Sequence, residues 1–441
     1  MYLILSQEIN LNLLWINLFL QKKRALQSIK VEKDPYQALK YREFSLYIFA
    51  RFLLTMSLSL PVVLLGWWLY ELTNDKAILG NFFLAELIPA LGLALFSGRI
   101  VDRTKKKRLL IGCYFGYLIY ASILLWVTLP SVLDNYGKQI IIYIIYGSSF
   151  LNGVIRSFVE PASFSFIAQL TPREAYINAS TWSSTSWIVG AILGPMIAGF
   201  LYAFVGITNS FFFMISFLII ALICLFFIKE KPISSKKEEQ SFWESLVVGL
   251  KYVFKEKAIL AALSLDMFAV LFGGAVALLP VFAIDILHIG KFELGLLRAA
   301  TFFGTLFTLL TLTHFPLKTR PGVKLLVSIM LFGVSIILFG ISTNFYISFI
   351  CLFFSGIFDG ISVNIRRSIL QIKTPDEMRG RVAAVNSMFI GSSNELGAYE
   401  SGITAKYMGT VPAVVFGGCM TILVVIITWW KAKALKEIDL N

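Results

Sequence analysis

Gly98-Arg99-Ile100-Val101-Asp102-Arg103-Thr104-Lys105-Lys106-Lys107-Arg108 is a short charged turn set between two apolar runs, each long enough to cross a bilayer. Six of its eleven residues are cationic. Loops this rich in Lys and Arg stay in the cytoplasm in most membrane proteins, so the turn fixes the side on which the remaining loops lie.

The composition agrees with a chain that lives in lipid. With 57% hydrophobic and 15% charged residues and a mean hydropathy of +0.77, there is too little polar sequence to cover a soluble globule of 441 residues. The expected class is an all-α polytopic membrane protein. The net charge of +13 raises nucleic acid as a partner, but the cations sit in short clusters between apolar spans. That placement favours an orientation signal and contact with anionic lipid, and no nucleic acid is expected. Cys113, Cys224, Cys351 and Cys419 all fall within apolar spans, which argues against a disulfide framework. With His288 and His314 isolated, neither a metal site nor a cofactor is expected.

Outward from the turn, apolar segments alternate with short polar breaks, at about 20 residues per crossing. Twelve spans are expected, near 44–70, 77–97, 109–129, 140–167, 177–203, 209–228, 259–284, 293–313, 324–341, 345–370, 382–406 and 411–430. With the N-terminus inside, loop cations concentrate on one side; Lys76, Lys138, Lys291 and Lys406 fall on the other, and Arg51, Arg156 and Arg298 within spans. A miscounted span would invert every later loop, so the asymmetry supports both the count and cytoplasmic termini.

The spans divide into an N-terminal tail (1–43), a six-helix bundle (44–228), a cytoplasmic linker (229–258), a second bundle (259–430) and a short tail (431–441). In the first tail, the run Leu11 to Leu20 is too short to span, and Lys22-Lys23-Arg24 follows it rather than precedes it, unlike a secretory signal. The linker opens with the polar stretch 231–240. It continues with Phe242, Leu246, Leu250 and Val253 at helical spacing, expected to lie along the membrane surface. A shift of 203 residues lays Thr171-Pro172-Arg173-Glu174 on Thr374-Pro375-Asp376-Glu377, and pairs Gly153 with Gly356, Gly194 with Gly397 and Gly199 with Gly402. Spans four to five thus repeat as spans ten to eleven.

Two related six-helix bundles in parallel orientation resemble the major facilitator transporters. The resemblance extends to the opening turn, where that family carries a glycine, an Asp and basic residues at set intervals. Gly98, Asp102, Arg103, Lys106 and Lys107 stand at those places, while Lys105 replaces a second glycine. The resemblance implies a cytoplasmic latch, with Asp102 facing the start of span eleven near Arg379-Gly380-Arg381; an aspartate there would cap a helix N-terminus. The matching loop of the second half, 318–324, keeps the cations but has no Asp. In span five, Gly190, Gly194, Pro195 and Gly199 resemble the glycine-proline motif of proton antiporters, and the same residues equally suit close helix packing. Residues 266–283 with 295–300 look like the enterobactin-exporter branch. The resemblance implies a plasma-membrane exporter of a small organic molecule, a siderophore by preference and a drug or macrolide as the alternative. It is expected to be driven by protons and to work as a monomer in the bacterial inner membrane.

Charged residues within spans are costly and are the candidates for coupling. Arg156 and Glu160, four apart, are expected to pair along one helix face. The shift of 203 residues lays Arg156 on Asp359, at similar depth on helices that line the cavity in the family. Glu86, Asp266 and Glu395 have no obvious partner, and a carboxylate without a cation in a low-dielectric site is suited to carry a proton. Glu86 and Asp266 are the first choices, with a neutral structural role as the alternative. Arg51 is a candidate cavity charge, and Arg51 and Arg298 alike can be read as side chains that snorkel to the interface. Trp67, Trp68, Trp182, Trp187 and Tyr399 are candidates to stack on an aromatic cargo or to anchor the interface. An enzyme would need a nucleophile with a base, or a metal cluster. ATP as the direct drive would need GxxxxGK[ST], and the sequence offers neither.

Overall fold

Lipid offers no hydrogen bonds to the backbone, so an apolar chain of this kind satisfies its peptide groups internally, as helices. The computed structural model describes residues 34–233, 242–315, 320–375 and 378–437, and these are helical nearly throughout. Most of the expected N-terminal tail, part of the polar linker, and Asp376 and Glu377 of the repeat lie outside the described residues.

The long helices are α1 (Arg42–Thr73), α2 (Lys76–Arg103), α3 (Lys106–Val127), α4 (Pro130–Leu170), α5 (Tyr176–Phe226), α6 (Phe242–Lys255), α7 (Lys257–Phe272), α8 (Lys291–His314), α9 (Pro321–Ile341), α10 (Phe345–Lys373), α11 (Arg379–Met408) and α12 (Thr410–Lys431). Apart from the short α6, the chain runs back and forth between two ends of the molecule, and α5 does so twice about its turn at Gly206. The basic end carries Gly98–Arg108, and the far end carries Asp75. At the far end Asn74 closes α1 in a left-handed conformation, and the Asp75 carboxylate caps α2 by accepting from the Ala77 N–H at 3.0 Å.

Ten stretches among the described residues are long and apolar enough to cross a membrane. The difference from twelve has two physical sources. The stretch Arg173–Phe226 is 54 residues long and turns at Gly206, whose φ of 82° suits a residue without a Cβ, so it covers both expected spans 177–203 and 209–228. Helix α11 is of membrane length but too polar to qualify, because it carries Asn386, Ser392, Ser393, Asn394, Glu395, Glu400 and Ser401. The expected continuous span 259–284 is instead interrupted. Helix α7 stops at Gly273, and the chain continues through short irregular turns to Ile286.

The glycines paired by the shift of 203 residues make equivalent helix contacts. A Cβ on Gly153 of α4 would lie 2.0 Å from the Glu86 carbonyl oxygen of α2, and one on Gly356 of α10 would lie 1.9 Å from the Thr301 carbonyl oxygen of α8. Gly194 seats α5 on Met56 and Ser59 of α1, as Gly397 seats α11 on Val270 and Leu271 of α7. Gly199 meets Gly295 of α8, as Gly402 meets Gly80 of α2. The repeat is therefore one of close backbone contacts, which small residues allow.

The amphipathic helix expected from residue 242 is present as α6, but part of its apolar face turns toward protein. Val253 and Leu250 pack with Ile259 and Leu263 of α7 and Val382 and Val385 of α11, and Gly249 touches the Arg381 backbone.

Candidate functional site

The helix contacts bring three charges together near the middle of the molecule. Gly153 lets α4 lie against α2 at Glu86, and Arg156 follows one turn later on α4. Gly80 and Gly402 let α11 lie against α2, so Glu395, about two turns before Gly402, reaches the same region. The Arg156 guanidinium donates to Glu86 Oε1 at 2.8 Å and to Glu395 Oε1 at 2.5 Å. The two carboxylate side chains are 12% and 10% exposed, whereas Arg156 is 38% exposed. One cation with a solvent-facing side thus holds two largely buried anions, and Glu395 Oε2 has no partner among the described residues.

This arrangement corrects two expectations. Glu86 and Glu395 do have a partner, and the partner of Arg156 is not Glu160. Glu160 is exposed, because the guanidinium swings across to α2 and α11 instead of along its own helix. Asp266 also has a counter-ion: it forms a buried ion pair with Arg366 of α10, the two side chains being 7% and 4% exposed. Charge counting had set Arg366 with the loop cations near the end of span ten. Its position within the limits 345–370 was the signal that could have found it. Asp359 is half-buried on α10 and makes no hydrogen bond or ion pair among the described residues; the cation that acts on it is Arg367 of its own helix. Arg51 donates to Ser183 Oγ at 2.5 Å, tying α1 to α5.

The far end is closed by contacts between residues on either side of the linker. Lys406 of α11 pairs with Asp75 at 2.8 Å, and the Tyr70 hydroxyl of α1 donates to Asp285. The Lys291 ammonium lies 4.0 Å from the ring centre of Tyr202. The Gly80–Gly402 and Gly199–Gly295 contacts stand beside these polar links. Burial works against ionisation of Asp75, but the hydrogen bonds from Lys406 and the Ala77 N–H outweigh it and hold the carboxyl below its ordinary value.

A family model described as Major Facilitator Superfamily matches residues 47–398, most of the chain. The chain belongs to the major facilitator superfamily. It is a multi-pass membrane transporter of small molecules, not an enzyme by family. Among curated relatives, the enterobactin exporter EntS of Citrobacter koseri is 24% identical over 348 residues, 77% of this chain and 79% of that protein. Multidrug resistance protein 2 of Bacillus subtilis is 30% identical over 162 residues, and that match spans 37% of each chain. The multi-drug resistance efflux pump PmrA of Streptococcus pneumoniae is 28% identical over 250 residues, 56% of this chain and 58% of that protein. The fold is that of a POT family transporter solved with 5-aminolevulinic acid, at a TM-score of 0.70 and 13% identity, covering 90% of this chain and 97% of that one. A bacterial homologue of the human lysosomal transporter Spinster, solved inward-facing and unoccupied, gives a TM-score of 0.65 at 13% identity, covering 90% and 96%.

Within this family the opening turn takes on a definite geometry. Gly98 is half-buried in α2, and Asp102 and Arg103 are exposed at its end. Asp102 makes no hydrogen bond or ion pair among the described residues, and Asp376, Glu377 and the Arg379 side chain, where the expected contact with the start of α11 falls, lie outside them. Lys106 is buried and donates to the carbonyls of Val101 and, at 3.2 Å, Thr104, satisfying the end of α2. Lys107 donates to the Phe226 carbonyl at 3.0 Å. Lys105 and Arg108 both pair with Glu230, just beyond α5. Nothing in the sequence around Glu230 marks it, because only the fold brings it back to the turn. In the glycine-proline motif, a Cβ on Gly190 would lie 2.9 Å from Thr55 and one on Gly194 2.6 Å from Ser59, both on α1. The Pro195 carbonyl faces Gly295 and Gly199 faces Lys291 and Gly295, so one motif seats α5 on both α1 and α8.

Proposed function

We propose that this protein exports a small organic molecule, a siderophore by preference, across the bacterial inner membrane by proton antiport and alternating access. The observation that carries the mechanism is Arg156 held at once by Glu86 on α2 and Glu395 on α11, which ties together helices from both sides of the linker. In this reading the chain makes twelve crossings with cytoplasmic termini, as two bundles at 44–228 and 259–430 working in one monomer, and the basic end faces the cytoplasm. The far end is closed, and in this reading the conformation is open to the cytoplasm and ready to take up cargo. A proton arriving on Glu86 or Glu395 removes one of the two anchors of Arg156 and loosens the tie between the bundles. Asp359, half-buried on α10 and aligned with Arg156 by the shift of 203 residues, is a further candidate to receive a proton. Closing at the basic end brings Asp102 to the start of α11, where the positive end of the helix stabilises it.

The cargo rests on the Citrobacter relative, whose match covers most of both chains. The Bacillus and Streptococcus relatives favour a second reading, multidrug or macrolide efflux. A deletion strain grown without iron separates them. Siderophore held inside and missing from the medium is the expected result. Unchanged secretion together with new macrolide sensitivity refutes the siderophore reading and supports the second.

A further inference from the structure

Trp67 and Glu71 stand four residues apart on α1, near the far end, and so share one face of the helix. Tyr202 of α5 adjoins them, close enough for the Glu71 charge to act on its hydroxyl. Lys291 opens α8, on the other side of the linker, and sets its ammonium 4.0 Å from the Tyr202 ring centre and 6.0 Å from that of Trp67. The two rings are only 5% and 8% exposed, so the ammonium meets covered aromatic faces and not open water. Among the described residues it makes no hydrogen bond or ion pair. The two π faces, with the Glu71 charge beside them, are what answer it.

The aromatic faces and their occupant are joined only while the far end is closed. A Cβ on Gly199 would lie 2.6 Å from the Lys291 carbonyl oxygen, so the root of the lysine rests on the main chain of α5. A parting of α5 from α8 there withdraws the ammonium and bares Trp67, Glu71 and Tyr202 together. Two aromatic faces with a carboxylate attract an ammonium ion by charge, and hold the carbons beside its nitrogen by apolar contact. Past its Cβ, the lysine stem with its ammonium has the shape of a propylammonium ion, so the space it fills suits a short primary alkylammonium.

We propose that Trp67, Glu71 and Tyr202 form a binding site for a primary alkylammonium ion at the far end, and that Lys291 is its tethered occupant in this conformation. An alkylammonium ion that enters when the far end parts keeps Lys291 out and holds that end open. This consequence rests on the alternating-access reading, whereas recognition at the site does not. A lysine that only braced the far end would act through its apolar stem, and the vacated space would then take a neutral chain as readily as a charged one.

The test uses the full chain purified in detergent. Lys291→Ala vacates the site, propylammonium replaces the atoms removed, and 1-propanol is its neutral counterpart, all at constant ionic strength. In a ligand-observed NMR titration, propylammonium should bind Lys291→Ala about tenfold more tightly than 1-propanol does, and about tenfold more tightly than it binds wild type. Adding Trp67→Leu, or Glu71→Gln at an exposed position, should cut that preference by about threefold or more, with thermal unfolding of each variant as the check on folding. No binding of propylammonium, equal binding of the two probes, equal binding of propylammonium to wild type and Lys291→Ala, or a preference untouched by Trp67→Leu overturns the proposal. A second measurement keeps Lys291 in place: propylammonium should raise, about twofold, the reactivity of a cysteine placed at the far end, and 1-propanol should not. A preference in Lys291→Ala with no such rise refutes only the parting of the far end, and a rise equalled by 1-propanol refutes the site.

Discussion

Substituting Gly153 by alanine tests whether helix contact and charge geometry are one device. The added Cβ would lie 2.0 Å from the Glu86 carbonyl oxygen, about 1.4 Å short of the 3.4 Å of ordinary contact. That neighbour is backbone, so relief requires α4 to move away from α2. Overpacking of this kind costs about 1–3 kcal/mol and lowers the melting temperature by a few degrees. A displacement of about 1 Å would carry the 2.8 Å bond between Arg156 and Glu86 beyond hydrogen-bonding reach, so transport should fall about tenfold or more. Gly356→Ala is the matched control, because its Cβ would lie 1.9 Å from the Thr301 carbonyl oxygen, with the same local cost but no contact with the triad. Melting in detergent and uptake into inverted vesicles read the two effects separately. A Gly153→Ala protein that melts and transports like wild type refutes the reasoning, and so does a Gly356→Ala protein that loses transport to the same degree.

Asp266→Asn leaves Arg366 buried and unpaired, and should cost about 3–5 kcal/mol in thermal unfolding; the double variant Asp266→Leu with Arg366→Met should restore most of that stability, and a proton-coupled flux that disappears even so would return Asp266 to the coupling candidates. Lys406→Gln removes an exposed cross-link whose strength water screens, so reagents that modify a cysteine placed at the far end should react only modestly faster, about twofold. The Glu230 carboxyl is held below its ordinary value first by its hydrogen bond from Lys105 and then by Arg108. A lowered acid contributes stability above its unfolded value and loses it as pH falls through the folded one. The clasp should therefore be intact at neutral pH and release only in acid, below the ordinary glutamate value of 4.5. Protection of the backbone amides of residues 104–108 from hydrogen exchange should fall there, and Glu230→Gln should show that loss already at neutral pH.

The features legible in the sequence were those written in local patterns. Apolar length gave the helices, loop charge gave their alternation, and the shift that superposes Gly153 on Gly356 located backbone contacts that the fold reproduces in both repeats. The charge partners were not legible, because Arg156 is separated by 70 positions from Glu86 and by 239 from Glu395. No periodicity along one helix encodes which neighbour will face it. The local rule instead pointed to Glu160, four residues away, and lost to a cross-helix alternative with two carboxylates. Asp266 shows the same limit: its partner Arg366 is 100 positions away on another helix, and nothing local to either residue points to the other. The interruption after α7 was hidden because glycine pairs such as Gly273-Gly274 occur in membrane helices that pass through unbroken.

The meeting of Gly80 with Gly402 and of Gly199 with Gly295 is main chain against main chain. A joint of this kind has no side chain through which its strength can be adjusted, so it behaves as a seal whose fit depends on the absence of atoms. A change of cargo would then leave the seal alone and act on the walls around it. If the far end parts in the proposed transport cycle, two bare faces separate with no side chain to repack, and selectivity is free to drift elsewhere.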